Sequence, residues 1–80
     1  MNNGESFTFV IKEKMEILAT YSTGWRKELN IVEWNGNNGK FDIRDWSPAH
    51  DSMSRGVTLH EAEARKLADA LNKYFAKQEK

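Results

Sequence analysis

The chain has 80 residues, no cysteine, and equal numbers of basic and acidic residues, 12 of each. One domain of this size buries only about 60% of its unfolded surface and has no disulfide or thiolate metal site to stabilise it, so we expect a dimer or a larger assembly. No apolar run reaches the roughly 20 residues of a membrane helix, which favours a cytoplasmic protein, and the balanced charge counts against nucleic-acid binding.

The first predicted element is a long N-terminal strand. Residues 1–5 are expected to be a flexible N-terminus, residues 6–76 to form the domain, and residues 77–80 to be a flexible tail. Apolar side chains alternate from residue 7 and continue to residue 19, as in a half-buried strand. The charged segment 12–14 is expected to hold a bulge or bend that changes which side chains are buried.

Three further strands follow in the central part of the chain. Residues 25–34 predict a second strand, and the Asn- and Gly-rich segment 35–39 predicts a hairpin loop, because both residue types tolerate positive φ. Residues 40–46 predict a third strand, ended by a proline. A polar loop over residues 48–55 leads into a short fourth strand at residues 57–59.

A C-terminal helix completes the domain. Apolar residues at helical spacing predict an amphipathic helix over residues 61–76. Two capping registers are open, Thr58 with Glu61 or His60 with Glu63. The predicted fold is α+β, in the order ββββα, with a four-stranded antiparallel sheet. One helix covers one side of such a sheet, which leaves the other side open to a partner or ligand.

Patterns typical of enzymes and cofactor sites are incomplete. His60 begins a helix like that of zinc proteases, but Ala64 stands where the second metal ligand is required. Residues 36–40 have the wrong spacing for a phosphate-binding loop and precede a strand. Asp42 and Asp45 are three apart on a strand and therefore lie on opposite faces. We expect no metal, no cofactor and no enzymatic activity.

Aromatic and basic residues around the second and third strands are the remaining candidates. Ring faces stack bases at about 1–3 kcal/mol each, and Lys or Arg can follow the phosphates. Periodicity leaves an alternative equally open, in which the tryptophans are core and the cations only aid solubility; Trp34 and Trp46 could each lie under the helix. The candidate residues are Trp25, Lys27, Trp34, Lys40, Phe41, Arg44, Trp46 and Arg55.

Four segments carry a resemblance to a known family: residues 24–30, 34–36, 40–46 and 55–59. In these the chain resembles the PC4 family of p15-type transcriptional coactivators, and most of all its bacterial YdbC-type branch. The resemblance implies a curved four-stranded antiparallel sheet, a C-terminal helix, and a homodimer that binds single-stranded DNA with little sequence preference. The setting would be transcription regulation or DNA replication and repair, and the location cytoplasmic and nucleoid-associated.

The resemblance also assigns roles by position. The family's stacking aromatic before the hairpin loop corresponds to Trp34, and its lysine after the loop corresponds to Lys40. The arginine and the aromatic of the third strand correspond to Arg44 and Trp46, and the basic residue before the fourth strand corresponds to Arg55. Trp25 and Lys27 match positions found only in the bacterial branch. Phe41 is a further possible stacking residue. The alternative is a protein–protein interaction module, or an RNA binder, that uses the same aromatic and basic surface.

Overall fold

A computed structural model of the chain describes residues 8–78. The expected flexibility of residues 1–5 and of residues 79–80 lies outside the described residues. The elements are β1 (Phe9–Thr20), β2 (Arg26–Trp34), β3 (Lys40–Trp46), β4 (Val57–Leu59) and α1 (Glu61–Gln78). The predicted ββββα order is confirmed. The helix continues two residues past its predicted end, so Lys77 and Gln78 are helical.

The sheet is antiparallel, and neighbouring strands in the sequence are neighbours in space, in the order β1-β2-β3-β4. The predicted loop between β2 and β3 contains Asn35 and Gly36 with φ values of 54° and 77°. These values lie in the left-handed region that Asn and Gly adopt at low cost. The hairpin therefore forms where the sequence predicts it.

Alternation along the central strands divides the sheet into two faces. The polar face holds most of the polar side chains of β2 and β3, and the helix-side face is the one against which α1 lies. On β2 and β3 the polar face comprises Arg26, Glu28, Asn30, Val32, Trp34, Lys40, Asp42, Arg44 and Trp46. On β2, β3 and β4 the helix-side face includes Leu29, Ile31, Phe41, Ile43, Val57 and Leu59.

The sheet curls strongly towards its polar face. Phe9 lies opposite Trp34 and Trp46 lies opposite Arg26, so the two pairs are eight positions apart along β2. Eight residues of extended strand span about 26 Å. Even so, the ring centroids of Phe9 and Trp46 are only 5.2 Å apart. The concave polar face therefore encloses a small core of its own, in which Val32 is 0% exposed.

The register of β1 against β2 shifts after Ile11, after Lys14 and after Ile17. Such shifts mark β-bulges, which bend the strand and increase its twist. The bend expected at residues 12–14 is therefore present, as part of a series of three.

The helix packs only loosely against the sheet. It contacts β3 and β4, and none of its residues is buried. At its start the backbone N–H of His60 donates to Oε1 of Glu63 at 2.8 Å, so the second capping register is the one observed. Over residues 8–78, no helix is long and apolar enough to span a membrane.

An apolar space of about 320 Å³ separates the helix from the helix-side face. Its walls include Leu29, Phe41 and Leu59 of the sheet and Leu67 and Leu71 of the helix. The radius of gyration is 15.1 Å, whereas a compact domain of this length has about 12 Å. The single chain thus leaves its helix-side face incompletely packed.

Candidate nucleic-acid interface

Trp34 and Arg44 meet on the concave polar face. Trp34 ends β2 and is half-buried, with its ring centroid 5.8 Å from that of Phe9. The guanidinium carbon of Arg44 lies 4.6 Å from the Trp34 ring centroid, within the range of a cation–π interaction. Lys40 begins β3 on the same face and is also half-buried. The structure therefore brings together the candidate aromatic, lysine and arginine nearest the hairpin loop.

Arg44 is held by a buried carboxylate. Its Nε and Nη2 donate to Oδ1 and Oδ2 of Asp42, both at 2.7 Å, and Asp42 is 0% exposed. Thr58 of β4 donates a further hydrogen bond to Oδ2 of Asp42 at 3.1 Å. A bidentate pair of this kind fixes the plane of the guanidinium group. Asp42 and Asp45 lie on opposite faces, as their spacing predicts.

Trp46 differs from the expected stacking residue, because its side chain is buried. It is 1% exposed and packs between the rings of Phe9, at 5.2 Å, and His50, at 5.5 Å. This burial fits the alternative in which a tryptophan is core. The position does not, since Trp46 lies on the polar face and not under the helix.

The loop after β3 folds back against Trp46. The backbone N–H of Ser47 donates to the carbonyl of Ser52 at 3.0 Å, and the Ser47 hydroxyl donates to Asp51 at 2.8 Å. His50 adopts a φ of 60°, a left-handed conformation uncommon for a residue with a side chain. These bonds hold the loop closed over the tryptophan.

A second buried carboxylate, Glu28, joins the loop to the sheet. It is 2% exposed, and its oxygens contact Nε2 of His50 at 3.0 Å, Nδ2 of Asn30 at 3.0 Å and Nε of Arg26 at 3.3 Å. Burial raises the pKa of Glu28, but the hydrogen bonds from Asn30 and His50 and the charges of His50 and Arg26 together hold it below its ordinary value. The carboxylate is therefore ionised and fully paired. In residues 8–78, no group of three or more His, Cys, Asp or Glu side chains could hold a metal ion.

Two candidates lie on the opposite face. Lys27 donates to Oδ1 of Asp45 at 3.1 Å, and this hydrogen bond, supported by Tyr21, raises the pKa of Lys27. Phe41 lines the apolar space beside the helix. Neither side chain lies on the face that carries Trp34 and Arg44.

Trp25 and Arg55 lie outside the strands. Trp25 is half-buried immediately before β2, and Arg55 is exposed two residues before β4. Arg55 is followed by Gly56, which passes directly against Arg44. A Cβ at Gly56 would overlap Cβ of Arg44 and lie 2.5 Å from the carbonyl oxygen of Ile43. The glycine is therefore required by close packing at this point.

Two cations of the polar face were not among the predicted residues. Lys14 of β1 lies opposite Asn30, and Lys14 and Arg26 line a groove of about 360 Å³ together with Glu28. The bulges in β1 interrupt simple alternation, so periodicity could not assign Lys14 to a face. Arg26 could have been found from its place on the same face of β2 as Trp34.

Comparison with known proteins identifies the family of this chain. Residues 21–70 match the family described as Transcriptional Coactivator p15 (PC4), and this segment contains all eight candidate residues. An uncharacterized protein of Treponema pallidum (strain Nichols) is 41% identical over 68 residues, which cover 85% of this chain and 80% of the relative. The chain therefore belongs to the p15 (PC4) family, a non-enzymatic, nucleic-acid-binding family whose members are generally single-stranded DNA-binding proteins and coactivators.

Proposed function

We propose that this protein is a homodimer that binds single-stranded DNA with little sequence preference, in the manner of the YdbC-type branch. It would act in transcription regulation or in DNA replication and repair, in the cytoplasm at the nucleoid. The observation that carries the proposal is the placement of Trp34 with Lys40 and Arg44 on one concave face. An indole offers a stacking surface for any base, which accounts for binding without base-specific hydrogen bonds.

The proposed interface extends along the polar face. Trp34 stacks a base, and Lys40 neutralises a neighbouring phosphate. Lys14 and Arg26 line the groove between β1 and β2, where the backbone of the strand can continue. Arg55 is exposed and supplies a further cation near β4.

The other four candidates have different relations to this interface. Trp25 stays a candidate at its edge. Trp46 supports the interface from below, because it is buried. Lys27 and Phe41 lie on the helix-side face and are not carried into the DNA interface.

A second copy of the chain is the proposed cover of the helix-side face. Leu67 and Leu71 of the helix are 41% and 47% exposed, and Phe75 is 55% exposed. Burying a leucine or phenylalanine side chain contributes roughly 1.5–3 kcal/mol. Pairing two such faces removes this apolar surface from water and completes both cores, which supports the homodimer.

Titration with dT oligonucleotides tests the binding. We expect quenching of tryptophan fluorescence at low salt, and weakening of affinity by about tenfold in Trp34→Ala, because stacking contributes 1–3 kcal/mol per base. Lys40→Ala is expected to reduce the slope of log K against log salt by about 0.7, the value for one phosphate on a single strand.

Lys73→Ala is the matched control, because Lys73 is exposed on the helix, away from the polar face. It should leave the slope unchanged. Absence of any quenching or binding by the unchanged protein at low salt would reject the proposed function.

The exposed helix favours a second candidate, a protein–protein interaction module. In that case a partner protein, and not a second copy, covers Leu67, Leu71 and Phe75. Capture of the partner that resists nuclease and excess oligonucleotide, together with a monomeric free protein, would favour this function. Titration with rU beside dT separates RNA from DNA preference on the polar face.

A further inference from the structure

Asp42 is an unusual residue to find at the centre of a surface proposed to bind a polyanion. It is 0% exposed, and both of its oxygens accept hydrogen bonds from Arg44 at 2.7 Å. A buried carboxylate must be paired, because its desolvation is otherwise very costly. Asp42 and Arg44 therefore form one unit, which Thr58 ties to β4.

Arg44 makes further contacts within the protein. Its Nη1 contacts the carbonyl oxygen of Ser54 at 3.3 Å and Sδ of Met53 at 3.6 Å. Its guanidinium carbon lies over the Trp34 ring, and its side chain is only 13% exposed. A phosphate would have to compete with a buried carboxylate for this group, whereas Lys40 has no such carboxylate among the contacts of the described residues.

We propose that Asp42 and Arg44 are positioning residues. Asp42 fixes the guanidinium plane of Arg44, and the guanidinium holds the indole of Trp34 in the orientation on which a base stacks. Arg44 thus acts through Trp34 and makes no phosphate contact of its own. This inference rests on the proposed function and names the residues that set its stacking surface.

The sign of one substitution separates the two roles. If Arg44 binds a phosphate, Asp42→Asn removes a competing negative charge and strengthens DNA binding. If Asp42 positions Arg44, the same substitution loosens the guanidinium and weakens binding. We expect weakening of about tenfold, the amount that corresponds to loss of one stacked base. Tighter binding by Asp42→Asn would overturn the proposal.

Arg44→Lys provides a second test, which does not depend on Asp42→Asn folding. Lysine keeps the charge but lacks the planar, bidentate group that pairs with Asp42 and stacks on a ring. We expect weaker binding with an unchanged salt slope, in contrast to Lys40→Ala. Retained affinity would show that only the charge of residue 44 matters, as for a phosphate contact, and would refute the positioning role.

A measurement without DNA keeps this inference distinct from the proposed function. In Arg44→Lys, ¹⁵N relaxation should show a lower order parameter for the Trp34 indole N–H, while the buried Trp46 indole stays rigid. Lys40→Ala is the control and should change neither. An unchanged Trp34 order parameter would contradict the proposal even if the protein binds DNA; a loss of order would support it even if dT binding failed.

Discussion

The two faces of the sheet differ in how completely the single chain packs them. The polar face curls until Phe9 and Trp46 touch, and it buries Val32 and Trp46 together with two paired carboxylates. The helix-side face carries most of the aliphatic residues of the central strands but leaves an apolar space of about 320 Å³ below an exposed helix. One face is completed by its own chain, and the other is not.

The two tryptophans of the polar face also differ from each other in exposure. On the polar face, Trp46 is buried and part of the core, whereas Trp34 is half-buried and leaves part of its ring exposed. The predictions below test whether the polar face is self-sufficient and whether the helix-side face depends on a second copy.

Trp46→Ala is expected to have the largest effect on folding. Removal of a fully buried tryptophan costs about 3–5 kcal/mol, a large part of the stability of a domain with 5–15 kcal/mol in total. Urea unfolding followed by circular dichroism measures the loss. Trp34→Ala is the comparison on the same face and should cost less stability. Equal losses in the two variants would show that the burial of Trp46 is not what stabilises the polar face.

Leu71→Asp should break the proposed pairing of helix-side faces. A charge replaces an apolar side chain that contributes roughly 1.5–3 kcal/mol when buried. Sedimentation equilibrium should show the mass falling from that of a dimer to the 9.3 kDa of one chain.

Ala62→Asp introduces the same charge nine residues earlier, about 180° around the helix from Leu71. This control should remain dimeric. If Leu71→Asp also keeps the mass of a dimer, the helix stripe is not the interface.

Gly56→Ala should damage both stability and binding on the polar face. The added Cβ would overlap Arg44 and crowd the carbonyl of Ile43, which costs about 1–3 kcal/mol when neighbours must shift. Gly36→Ala is the control, because the added Cβ meets no atom within 4 Å. Its only cost is that of placing a residue with a side chain at a φ of 77°, about 1–2 kcal/mol. Urea unfolding measures the stability of both variants, and dT titration measures their affinity. We expect Gly56→Ala, and not Gly36→Ala, to weaken DNA binding. Unaltered binding by Gly56→Ala would show that Gly56 does not contribute to the interface.

The smallest expected effect is a dependence of stability on acid pH. The pKa of Glu28 is lower in the folded protein than its ordinary value of 4.5. Stability from this group is therefore full above the ordinary value and is lost as pH falls through the folded pKa. Urea midpoints measured from pH 6 to pH 3 should decline less in Glu28→Gln than in the unchanged protein. Parallel curves would show that Glu28 does not contribute to this decline.

The local structure was largely predictable from the sequence. Alternation in β2 and β3, the turn residues Asn35 and Gly36, and the apolar stripe of α1 are short-range signals, and each element formed where its signal lies. The opposite facing of Asp42 and Asp45 follows from the same alternation.

The parts of the site that were missed depend on contacts between distant segments. Trp46 is buried by Phe9 and His50, and neither contact has a signature in the sequence around residue 46. The pairing of Arg44 with Asp42 could be anticipated, because the two are only two residues apart on one face, but only burial makes that pairing obligatory. Lys14 was missed because the bulges in β1 interrupt the alternation that would assign it to a face.

The unequal lengths of β1 and β2 have a consequence for how this fold can vary. β1 uses twelve residues where β2 uses nine, and the surplus is taken up at the three shifts of register. A strand with more residues than its neighbour must follow a longer path, so the number of surplus residues sets how tightly the hairpin rolls up. The curvature of the concave polar face would then change in steps of one residue, through insertions or deletions in β1, while the side chains that β2 and β3 contribute to that face stay the same.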